Sequence, residues 1–447
     1  MNIKTPHRKI TTNIPCEVTK QILSDLEQYE SRSMQGQFPL VWDRAEGFYI
    51  YDAAGNKWID FTSTIFVANV GHGNQRVIKA IQEVLEKPLL HTYAYVNKYR
   101  TEYLKNLISF TNGAFEKAFL LSAGTEATEA ALKLMRMYGQ KQGKKNLGII
   151  AIEGNWHGRT MGAQMMSGNI AQKAWIGYQD PNIYHIPFPY PWHIKNQSGA
   201  TFLYQSIKQL EARGINFKED ICGFMLETFQ GWGAIFYPKD FVQTIKEFCV
   251  ENHILLSFDE MQSGFARTGK RFGYEHYEVA PDLICCGKGM GGGLPLSGVL
   301  GSTEIMDLPE VGNMSSTHSA NPLVCAAGIA TLEEIQGKNL VNESARKGVL
   351  LHTRLNEIQE KYATWISFVL GQGLIAALLF QTPETGKPNT LLATKVAKQC
   401  MQKGLLVVHT GRESIKIGPP LIISDDALLE GVAVLEEAII ESIGEAA

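Results

Sequence analysis

Short apolar runs alternate with longer amphipathic stretches through the middle of this 447-residue chain. A helix is predicted over 125–138, where Ala127, Ala130, Ala131, Leu134 and Met135 fall near one face. Strands are predicted for the apolar runs at 117–121, 147–152, 221–226, 253–258, 282–286 and 297–300. This alternation indicates an α/β fold, with a mainly parallel central sheet covered by helices on both faces.

The pattern changes towards both ends of the chain. Alternating apolar and polar positions over 40–60 indicate a hairpin. After about 340 we predict a helix at 342–361, strand-like pieces at 366–379, 405–408 and 414–417, and a helix at 425–441. We therefore expect a smaller α+β domain built from both terminal segments. The predicted boundaries are 1–75 for the N-terminal segment that joins the small domain, 76–340 for the large domain and 341–447 for the C-terminal small domain.

Composition and charge exclude several classes of function. A formal charge of −3 and a pI near 6.4 leave no basic surface of the kind that binds nucleic acid. The apolar runs are too short to span a membrane, and the basic N-terminus lacks the apolar stretch of a signal peptide. The seven cysteines are scattered, which is typical of buried thiols in a cytoplasmic protein, and their spacing does not predict a metal site.

Two charged residues follow apolar runs that we predict to be strands. Asp259 ends the run at 253–258, and Lys288 follows the run at 282–286. Because ligands of open α/β sheets bind at the carboxyl ends of strands, one site could contain both. An amine that holds an aldehyde cofactor as an imine, and a carboxylate that keeps its pyridine ring protonated, are what pyridoxal phosphate requires. The alternatives are an exposed loop lysine and a structural acid paired with Arg267.

The glycine-rich string around Lys288 also resembles two nucleotide-binding loops. Gly287, Gly289 and Gly292 match the dinucleotide fingerprint, but Leu294-Pro295 follows where that fold needs an uninterrupted helix. A Walker A loop would need glycine at 282 and a hydroxyl residue at 289, where the chain has Asp and Gly. Both alternatives therefore fail on local grounds.

Three further motifs lie in predicted loops. Ser122-Ala123-Gly124-Thr125-Glu126-Ala127 precedes the first helix of the predicted sheet region and could hold a phosphate, or could be a plain N-cap formed by Thr125. Trp156 begins Trp-His-Gly-Arg and could cover a flat ring, or could be an ordinary core aromatic. Ser316 and Thr317 precede an Ala-rich helix and offer either a phosphate contact or a cap.

Taken together, the order and spacing of these motifs resemble the class III aminotransferases, which are pyridoxal-phosphate enzymes of fold type I. This family includes ornithine, acetylornithine and 4-aminobutyrate aminotransferases. The resemblance extends from Gly47-Phe48-Tyr49-Ile50-Tyr51-Asp52 to Gly418-Pro419-Pro420-Leu421, and its most specific strings are 259–269 and 287–298. It implies an enzyme that moves an amino group from a primary amine or amino-acid donor, with an ω-amine expected, to 2-oxoglutarate or pyruvate.

The resemblance assigns roles around the cofactor ring. Lys288 resembles the Schiff-base lysine and proton shuttle, and Asp259 resembles the partner of the pyridine nitrogen. Gln262 resembles the contact to the phenolic oxygen, and Trp156 occupies the ring-stacking position.

The resemblance also assigns contacts at the phosphate and the substrate. Gly124 and Thr125 resemble the phosphate cradle. Thr317, with Ser316 beside it, resembles the phosphate ligand supplied by a neighbouring subunit, which implies a homodimer with a shared active site. Arg159 matches a position that contacts substrate in some relatives.

Two residues depart from the family pattern, and both bear on the substrate. The glutamate that pairs with a carboxylate-binding arginine in many relatives is Trp232 here, and the arginine itself is replaced by Lys416. Lysine cannot make the planar two-pronged contact of arginine, so Arg412 or Arg159 is expected to bind a carboxylate instead. Trp232 favours a bulkier or more apolar substrate, unless it only fills space and Lys416 substitutes adequately.

Two alternative functions stay open on the sequence. An aminomutase or amino-acid epimerase on the same scaffold would use the same lysine, and a non-enzymatic binding protein would have lost the chemistry. The intact set of Lys288, Asp259 and Gln262 argues against the binding protein. An isomerase would differ from an aminotransferase by consuming no 2-oxo acid.

Overall fold

The computed structural model describes residues 2–194 and 196–444. The helices are α1 (Lys20–Tyr29), α2 (Ser63–Phe66), α3 (Gln75–Glu86), α4 (Lys98–Phe110), α5 (Gly124–Lys141), α6 (Met161–Met166), α7 (Gly199–Glu211), α8 (Phe217–Asp220), α9 (Lys239–Glu251), α10 (Thr303–Met306), α11 (Pro322–Gly337), α12 (Leu340–Lys361), α13 (Thr390–Gln402) and α14 (Asp425–Gly444).

The strands contribute to two larger sheets, one smaller sheet and one short hairpin. They are β1 (Ile3–Lys4), β2 (Lys9–Ile10), β3 (Arg44–Glu46), β4 (Tyr49–Tyr51), β5 (Lys57–Asp60), β6 (Lys117–Leu121), β7 (Gly148–Ile152), β8 (Ile183–Ile186), β9 (Ile221–Glu227), β10 (Phe229–Gln230), β11 (Ile235–Phe236), β12 (Leu255–Asp259), β13 (Leu283–Cys286), β14 (Ser297–Gly301), β15 (Ile366–Gln372), β16 (Ile375–Phe380), β17 (Leu405–Leu406), β18 (Val408–His409) and β19 (Ser414–Ile417).

The chain divides into two compact units. The smaller unit comprises Met1–Gln75, Trp232–Ala234 and Asn342–Ala447. The larger unit comprises Arg76–Gly231 and Ile235–Val341. The three residues 232–234 form the tip of the β10–β11 hairpin, so this short stretch belongs to the smaller unit although its strands belong to the larger one.

The larger unit is built on a seven-stranded sheet within the described residues, in the order β6-β14-β13-β12-β9-β7-β8. The pairs β12–β13, β12–β9, β7–β9 and β7–β8 are parallel, whereas β14 runs antiparallel to β13 and to β6. The sheet is therefore mixed, with one antiparallel strand inserted near its edge. Every residue of β7, β9, β12, β13 and β14 is buried, as expected for strands covered on both faces.

Helix α5 covers one face of this sheet through its apolar stripe. Ala127, Ala131 and Leu134 are fully buried and belong to one core cluster with Ile149 and Met225 of the strands. Small side chains on the stripe allow the helix to approach the sheet closely. At Gly139 an added Cβ would lie 2.5 Å from the Cβ of Cys222, so a larger residue would separate the helix from β9.

The smaller unit contains two antiparallel arrangements of strands. One sheet has the order β1-β2-β5-β4-β3, and β17 joins β5 in parallel. The other sheet has the order β15-β16-β19-β18, and its three neighbouring pairs are antiparallel. Helices α13 and α14 pack against each other in this unit, so it has the α+β character predicted from the pattern.

Most predicted elements are confirmed at their positions, and four details differ. The strand at 183–186 was not predicted, because its sequence Ile-Tyr-His-Ile is half polar and lies at the sheet edge. The region 366–379 is a hairpin of two strands rather than one piece. The run at 405–408 divides between β17 and β18, which join different sheets. The mainly parallel sheet contains the antiparallel β14.

Neither a membrane-spanning helix nor a metal-binding cluster of side chains occurs within the described residues. None of their helices has both the length and the apolarity needed to cross a membrane. Residues 2–194 and 196–444 also contain no group of three or more His, Cys, Asp or Glu side chains that could hold a metal ion.

Candidate active site

Asp259 is the last residue of β12, in the middle of the larger unit's sheet. It is 5% exposed and lies in register with Glu227 of β9 on one side and Cys285 of β13 on the other. Its Oδ2 is 3.0 Å from Nδ1 of His157, and its Oδ1 accepts a hydrogen bond of 3.0 Å from the Met261 amide. Each carboxylate oxygen is therefore held by a separate donor.

Lys288 lies two residues beyond β13, at the start of a single 3-10 turn. Its φ is +42°, a left-handed conformation that is unusual for a side chain with a Cβ and is concentrated at functional sites. The residue is partly buried, so the alternative of an exposed loop lysine is wrong. Burial lowers the pKa of its ammonium group, while the charges of Asp259 and Glu227 act in the opposite direction.

Glu227 was not predicted as a site residue. It ends β9 beside Asp259, is 5% exposed, and its charge acts on Lys288. Its Oε2 accepts hydrogen bonds from the amides of Trp156 at 3.1 Å and Gly231 at 3.3 Å. Its position at the end of a predicted strand, next to the strand of Asp259, is the signal that could have identified it.

Gln262 is partly buried in the turn that follows β12. An added Cβ on Gly231 would lie 2.2 Å from Nε2 of Gln262 and 2.7 Å from Oε1 of Glu227. Glycine at position 231 therefore allows this backbone to lie directly against both polar groups.

Trp156 follows β7 and is 36% exposed, so the alternative of a buried core aromatic is wrong. The Cζ atom of Arg159 lies 4.5 Å from the centre of its ring, which is a cation–π contact. The Trp156 amide donates a hydrogen bond to Glu227, so the backbone of this tryptophan is fixed beside the strand end that also borders Asp259.

The loop before α5 has the geometry of an anion-binding helix start. Its N-cap is Ala123, so the alternative of an N-cap formed by Thr125 is wrong. Glu126 accepts the amides of Ser122 and Ala123, at 2.9 and 2.8 Å. The next amides, those of Gly124 and Thr125, belong to the first turn, where backbone N–H groups have no acceptor within the helix. They are the groups available to a phosphate.

The Thr125 side chain is held in place beside this turn. Its Oγ1 lies 2.6 Å from Oγ1 of Thr160, whose hydroxyl donates to Glu129 at 2.6 Å. Gly158 has a φ of +139°, and an added Cβ there would lie 2.2 Å from Oγ1 of Thr125. The loop after β7 therefore packs its backbone against the Thr125 hydroxyl.

Of the two hydroxyl residues before α11, one lies close to this turn. Ser316 is 3.4 Å from Oε1 of Glu126 through its Oγ, whereas Thr317 is exposed and its carbonyl accepts from His91 at 2.8 Å. The cap of α11 is Asn321, whose side chain accepts from the Leu323 amide. Capping of α11 by Ser316 or Thr317, the other prediction, is therefore wrong.

Glu260, adjacent to Asp259, has a structural environment. It is fully buried, and its carboxylate accepts hydrogen bonds from the Thr228 and Ser263 hydroxyls and from the amides of Gly273 and Tyr274. Burial raises the pKa of this carboxyl group, and these four donors oppose that rise. Its hydrogen bonds fix the loop behind β12.

The remaining predicted substrate residues lie in the smaller unit. The Arg412 guanidinium is 3.6 Å from the centre of the Trp232 ring, and the Ser414 hydroxyl donates to the Trp232 carbonyl at 2.7 Å. Lys416 of β19 is 4% exposed, with its Nζ 4.9 Å from the centre of the Phe66 ring. The structure therefore brings Trp232 and Arg412 into direct contact.

Comparison with known proteins identifies the family. The sequence profile described as aminotransferase class-III matches residues 31–439. The chain belongs to the class III aminotransferases. These enzymes depend on pyridoxal phosphate and transfer an amino group from an amine donor to a 2-oxo acid.

Individual relatives of this class III aminotransferase span nearly its whole length. A probable 4-aminobutyrate aminotransferase from Bacillus subtilis (strain 168) is 32% identical over 430 residues, covering 94% of this chain and 97% of the relative. An isoleucine 2-epimerase from Lentilactobacillus buchneri is 30% identical over 432 residues, or 94% of each chain. A transaminase structure from the marine bacterium Virgibacillus has a TM-score of 0.87 at 26% identity, covering 96% of this chain and 100% of that one.

The residues of this class III aminotransferase fit pyridoxal phosphate on structural grounds. Phosphate requires free amides at a helix start, and the first turn of α5 offers those of Gly124 and Thr125. The pyridine nitrogen requires a carboxylate, and Asp259 is fixed by two donors. The aldehyde requires an amine, and burial lowers the pKa of Lys288.

Proposed function

We propose that this enzyme transfers the amino group of a primary amine or amino acid, typically an ω-amine, to 2-oxoglutarate or pyruvate. The observation that carries this proposal is Lys288, partly buried and electrostatically coupled to both Asp259 and Glu227 at adjacent strand ends. Bound pyridoxal phosphate supplies the electron sink that makes a substrate C–H bond acidic. The protein must then provide a base for that proton and a fixed environment for the ring.

In this proposal Lys288 binds the cofactor and moves the proton. A base must be neutral to accept a proton, and burial lowers the pKa of Lys288 and increases its neutral fraction at neutral pH. Asp259 accepts a hydrogen bond from the protonated pyridine nitrogen. Gln262 contacts the phenolic oxygen, and Trp156 stacks on the ring.

The phosphate is assigned to the first turn of α5. The amides of Gly124 and Thr125 and the Thr125 hydroxyl, which lies 2.6 Å from Oγ1 of Thr160, are the proposed ligands. We also propose that Thr317 reaches the phosphate of a neighbouring subunit, with Ser316 beside it. The exposure of Thr317 supports this role, because an exposed loop is free to enter a partner's site. The active form is then a homodimer with a shared active site.

Substrate recognition is proposed to depend on an arginine other than the usual one. The guanidinium carbon of Arg412 lies 3.6 Å from the centre of the Trp232 ring, and its Nε and Nη2 contact the two carboxylate oxygens of Glu413 at 3.4 and 3.3 Å. The second fork of a guanidinium, between Nη1 and Nη2, can make a two-pronged contact with a substrate carboxylate. Lys416 is buried and offers only a point charge. We assign the substrate carboxylate to Arg412, with Arg159 as a second candidate, and assign Trp232 to the apolar part of the donor.

A second candidate function has a specific observation in its favour. The relative that is an isoleucine 2-epimerase is 30% identical and covers 94% of this chain. An epimerase would need the same lysine to remove and return the α-proton, and Trp232 would suit a branched apolar side chain. The aminotransferase is favoured because the probable 4-aminobutyrate aminotransferase matches over a similar length at 32% identity.

One experiment separates the two functions. The purified holoenzyme is incubated with each member of an amine panel (ω-amino acids, apolar α-amino acids and uncharged primary amines), first without and then with 2-oxoglutarate or pyruvate. We expect conversion of the cofactor to its pyridoxamine form without acceptor, and one carbonyl product per 2-oxo acid consumed with it. Inversion at Cα of isoleucine, detected as formation of the allo diastereomer with no 2-oxo acid consumed, would instead establish an epimerase.

The cellular location is part of the proposal as well. All seven cysteines are unpaired and buried. Free thiols in these numbers are typical of a reducing compartment, which supports a cytoplasmic enzyme.

A further inference from the structure

A row of basic side chains crosses the N-terminal sheet of the smaller unit. Five residues are register partners along the strand order β1-β2-β5-β4-β3, namely Lys4, Lys9, Lys57, Tyr51 and Arg44. Register partners of neighbouring strands point to the same face of a sheet. We call these five residues the basic row. The net charge of −3 gives no indication of it, because it depends on the strand register.

The opposite face of this sheet belongs to the hydrophobic core. The buried residues of that core are Ile10, Trp58, Ile50, Met401 and Leu406. Successive side chains of a strand alternate between the two faces, so the basic row points away from this core. Lys4, Lys9 and Arg44 are exposed, and Lys57 is partly buried.

The charges of the basic row repel one another. Like charges directly opposite on adjacent strands are destabilising, and Lys9 has a lysine opposite it on both sides. Neither Lys4 nor Lys9 forms an ion pair within residues 2–194 and 196–444. Burial lowers the pKa of Lys57, while the charge of Glu430 acts in the opposite direction. The row therefore carries positive charge that these strands do not neutralise.

Protection of a sheet edge accounts for only part of the basic row. Lysine on an edge strand hinders pairing with another chain, and Lys4 lies on the edge strand β1. Lys9 and Lys57 lie on β2 and β5, which have neighbouring strands on both sides. Their charges need a different explanation.

A cavity of about 630 Å³ has all five members of the basic row in its lining. Every lining residue lies in the segment Met1–Gln75, so the cavity belongs to the smaller unit alone. Its lining also contains Arg8, which is paired with Glu430 at 2.7 Å. The cavity therefore offers four further cations, those of the basic row, on one wall.

The carboxylates near this cavity do not balance that wall. Asp52 is buried, and its oxygens accept hydrogen bonds from the amides of Ala54 and Asn56 and from the Asn56 side chain. Glu46 lies 3.5 Å from Arg44, but both side chains are more than half exposed, so this contact is screened. Asp43 is the other carboxylate of the lining and is exposed.

Three of the cations are already positioned beside the cavity. The guanidinium carbon of Arg44 lies 3.5 Å from the centre of the Tyr51 ring, and Nζ of Lys57 donates to the Pro6 carbonyl at 2.8 Å. Nζ of Lys9 lies over the hairpin turn, 3.9 Å from where a Cβ on Gly55 would be. Groups that are positioned before binding lose less freedom when a ligand arrives.

We propose that the basic row binds a small polyphosphate anion, with two or more linked phosphate groups. Neighbouring strands lie about 4.8 Å apart, so the lysines of β1, β2 and β5 extend over roughly 10 Å. A chain of linked phosphates spreads its charges over a comparable length, whereas a single phosphate cannot face all three lysines. Each lysine can donate charge-assisted hydrogen bonds to phosphate oxygens. This site lies outside the larger unit and does not depend on the proposed function.

The test uses holoenzyme saturated with pyridoxal phosphate, so that the phosphate turn of α5 is occupied. Isothermal titration calorimetry in metal-free buffer of low ionic strength measures the binding of inorganic tripolyphosphate, ATP and inorganic monophosphate. The variant combines Lys4→Gln with Lys9→Gln, and Lys9→Arg keeps the charge. The matched control combines Lys395→Gln with Lys398→Gln, at two exposed lysines of α13 in the same unit but outside the cavity.

We expect the wild type to bind tripolyphosphate more tightly than monophosphate. Loss of two cationic donors should weaken tripolyphosphate binding by at least about 10-fold, whereas Lys9→Arg and the control should stay within about threefold of the wild type. Tripolyphosphate should also raise the thermal midpoint of the wild type and leave that of the double variant unchanged. An equal or weaker affinity for ATP assigns the site to polyphosphate itself, and a tighter one assigns it to a nucleotide.

Several results would overturn the inference. They are no binding of tripolyphosphate to the wild type, an affinity for monophosphate equal to that for tripolyphosphate, or an equal loss in the double variant and the control. Unchanged affinity in the double variant would overturn it as well. Circular dichroism checks that the variants are folded, and Lys9→Gln alone replaces the double variant if that protein does not fold.

Discussion

The strand ends of the larger unit and the Trp232–Arg412 contact of the smaller unit hold their charged groups in opposite ways. Asp259 is 5% exposed and is fixed by two hydrogen bonds on separate oxygens. The Arg412 side chain is 46% exposed and is held by an aromatic face and by Glu413 at 3.3 Å. A buried charged group that is held by hydrogen bonds is fixed in one orientation. An exposed charged group is screened by solvent and can change its contacts.

The contrast between the buried strand ends and the exposed Trp232–Arg412 contact suggests how members of one family can keep the same chemistry and differ in substrate. The residues assigned to the cofactor are embedded in a packed sheet, so changing one of them disturbs its neighbours. The departures from the family pattern, Trp232 and Lys416, lie in the smaller unit. On the roles proposed for these two residues, a substitution there changes the preferred donor and leaves the strands before Lys288 and Asp259 unchanged.

The largest effect is expected from Lys288→Ala, which tests the chemical half of the comparison. Removing the amine removes both the covalent attachment and the base, so turnover should fall by at least about 10⁴-fold. The visible absorbance of the lysine-bound cofactor should disappear as well. Lys270→Ala, at an exposed lysine, is the control. Full activity of Lys288→Ala would refute the assignment of this site.

Asp259→Asn is expected to have the next largest effect. The amide is similar in size but cannot stabilise a positive charge on the pyridine nitrogen, so proton abstraction should slow by roughly 10²- to 10³-fold while cofactor stays bound. Stopped-flow measurement of the amine half-reaction gives the rate, and Asp307→Asn on the surface is the control. An unchanged half-reaction rate would remove Asp259 from its proposed role.

Gly158→Ala tests the close packing around the phosphate turn. The new Cβ would lie 2.2 Å from Oγ1 of Thr125, so the loop or the hydroxyl must move, and cofactor affinity should fall by roughly 30-fold. Gly177→Ala is a matched control, with φ of +80° and nothing within 4 Å of its added Cβ. Equal affinities of the two variants would show that the Thr125 hydroxyl does not bind phosphate.

Trp232→Ala tests the adaptable half of the comparison. Loss of the apolar contact should lower kcat/KM for large apolar donors by about 10-fold, with little change for small donors. Spectra and affinity of the bound cofactor should stay as in the wild type. Trp175→Ala, at a tryptophan that is 61% exposed in the larger unit, is the control. A uniform loss across all donors would mean that Trp232 only fills space.

The smallest effect is expected from the pH dependence of His185, whose Nε2 lies 3.1 Å from the carbonyls of Met166 and Ser167. The pKa of His185 is lowered from 6.5 to about 4 in the folded protein, so the unfolded chain takes up the proton first. The contribution of His185 to the free energy of unfolding is complete above pH 6.5 and is lost as pH falls towards 4. Because the ring is partly exposed, we expect a loss of roughly 1 kcal/mol. Denaturant titrations at several pH values give the free energy of unfolding at each pH. Between pH 6.5 and 4 this free energy should fall less steeply in His185→Gln than in the wild type.

Much of the fold could be predicted from the chain because its signals are local. Runs such as 253–258 and 282–286 are apolar and short, and the structure places strands there. Strand β8 was missed because half of its residues are polar at a sheet edge. The antiparallel direction of β14 could not be predicted either, since periodicity reports burial and carries no strand direction.

The residues of the site also divide into those with a local sequence signal and those whose position depends on the folded chain. Asp259 and Lys288 could be singled out because each stands beside a predicted strand in a distinctive string. Glu227 also follows a predicted strand, but its place beside Asp259 depends on the strand order. His157 could not be singled out, because its contact is with a residue far along the chain. Glu260 looked equally suited to structure or catalysis until its four buried donors were known.

The sequence by itself determined the family, the cofactor class and the strand ends that carry the acid and the lysine, because these depend on neighbouring residues and their spacing. Only the tertiary structure decided which groups surround them. Strand order brings Glu227 beside Asp259, the loop after β7 brings His157 to the same carboxylate, and the hairpin tip places Trp232 under Arg412. Such contacts join distant segments, and the packing that makes them is a property of the folded chain.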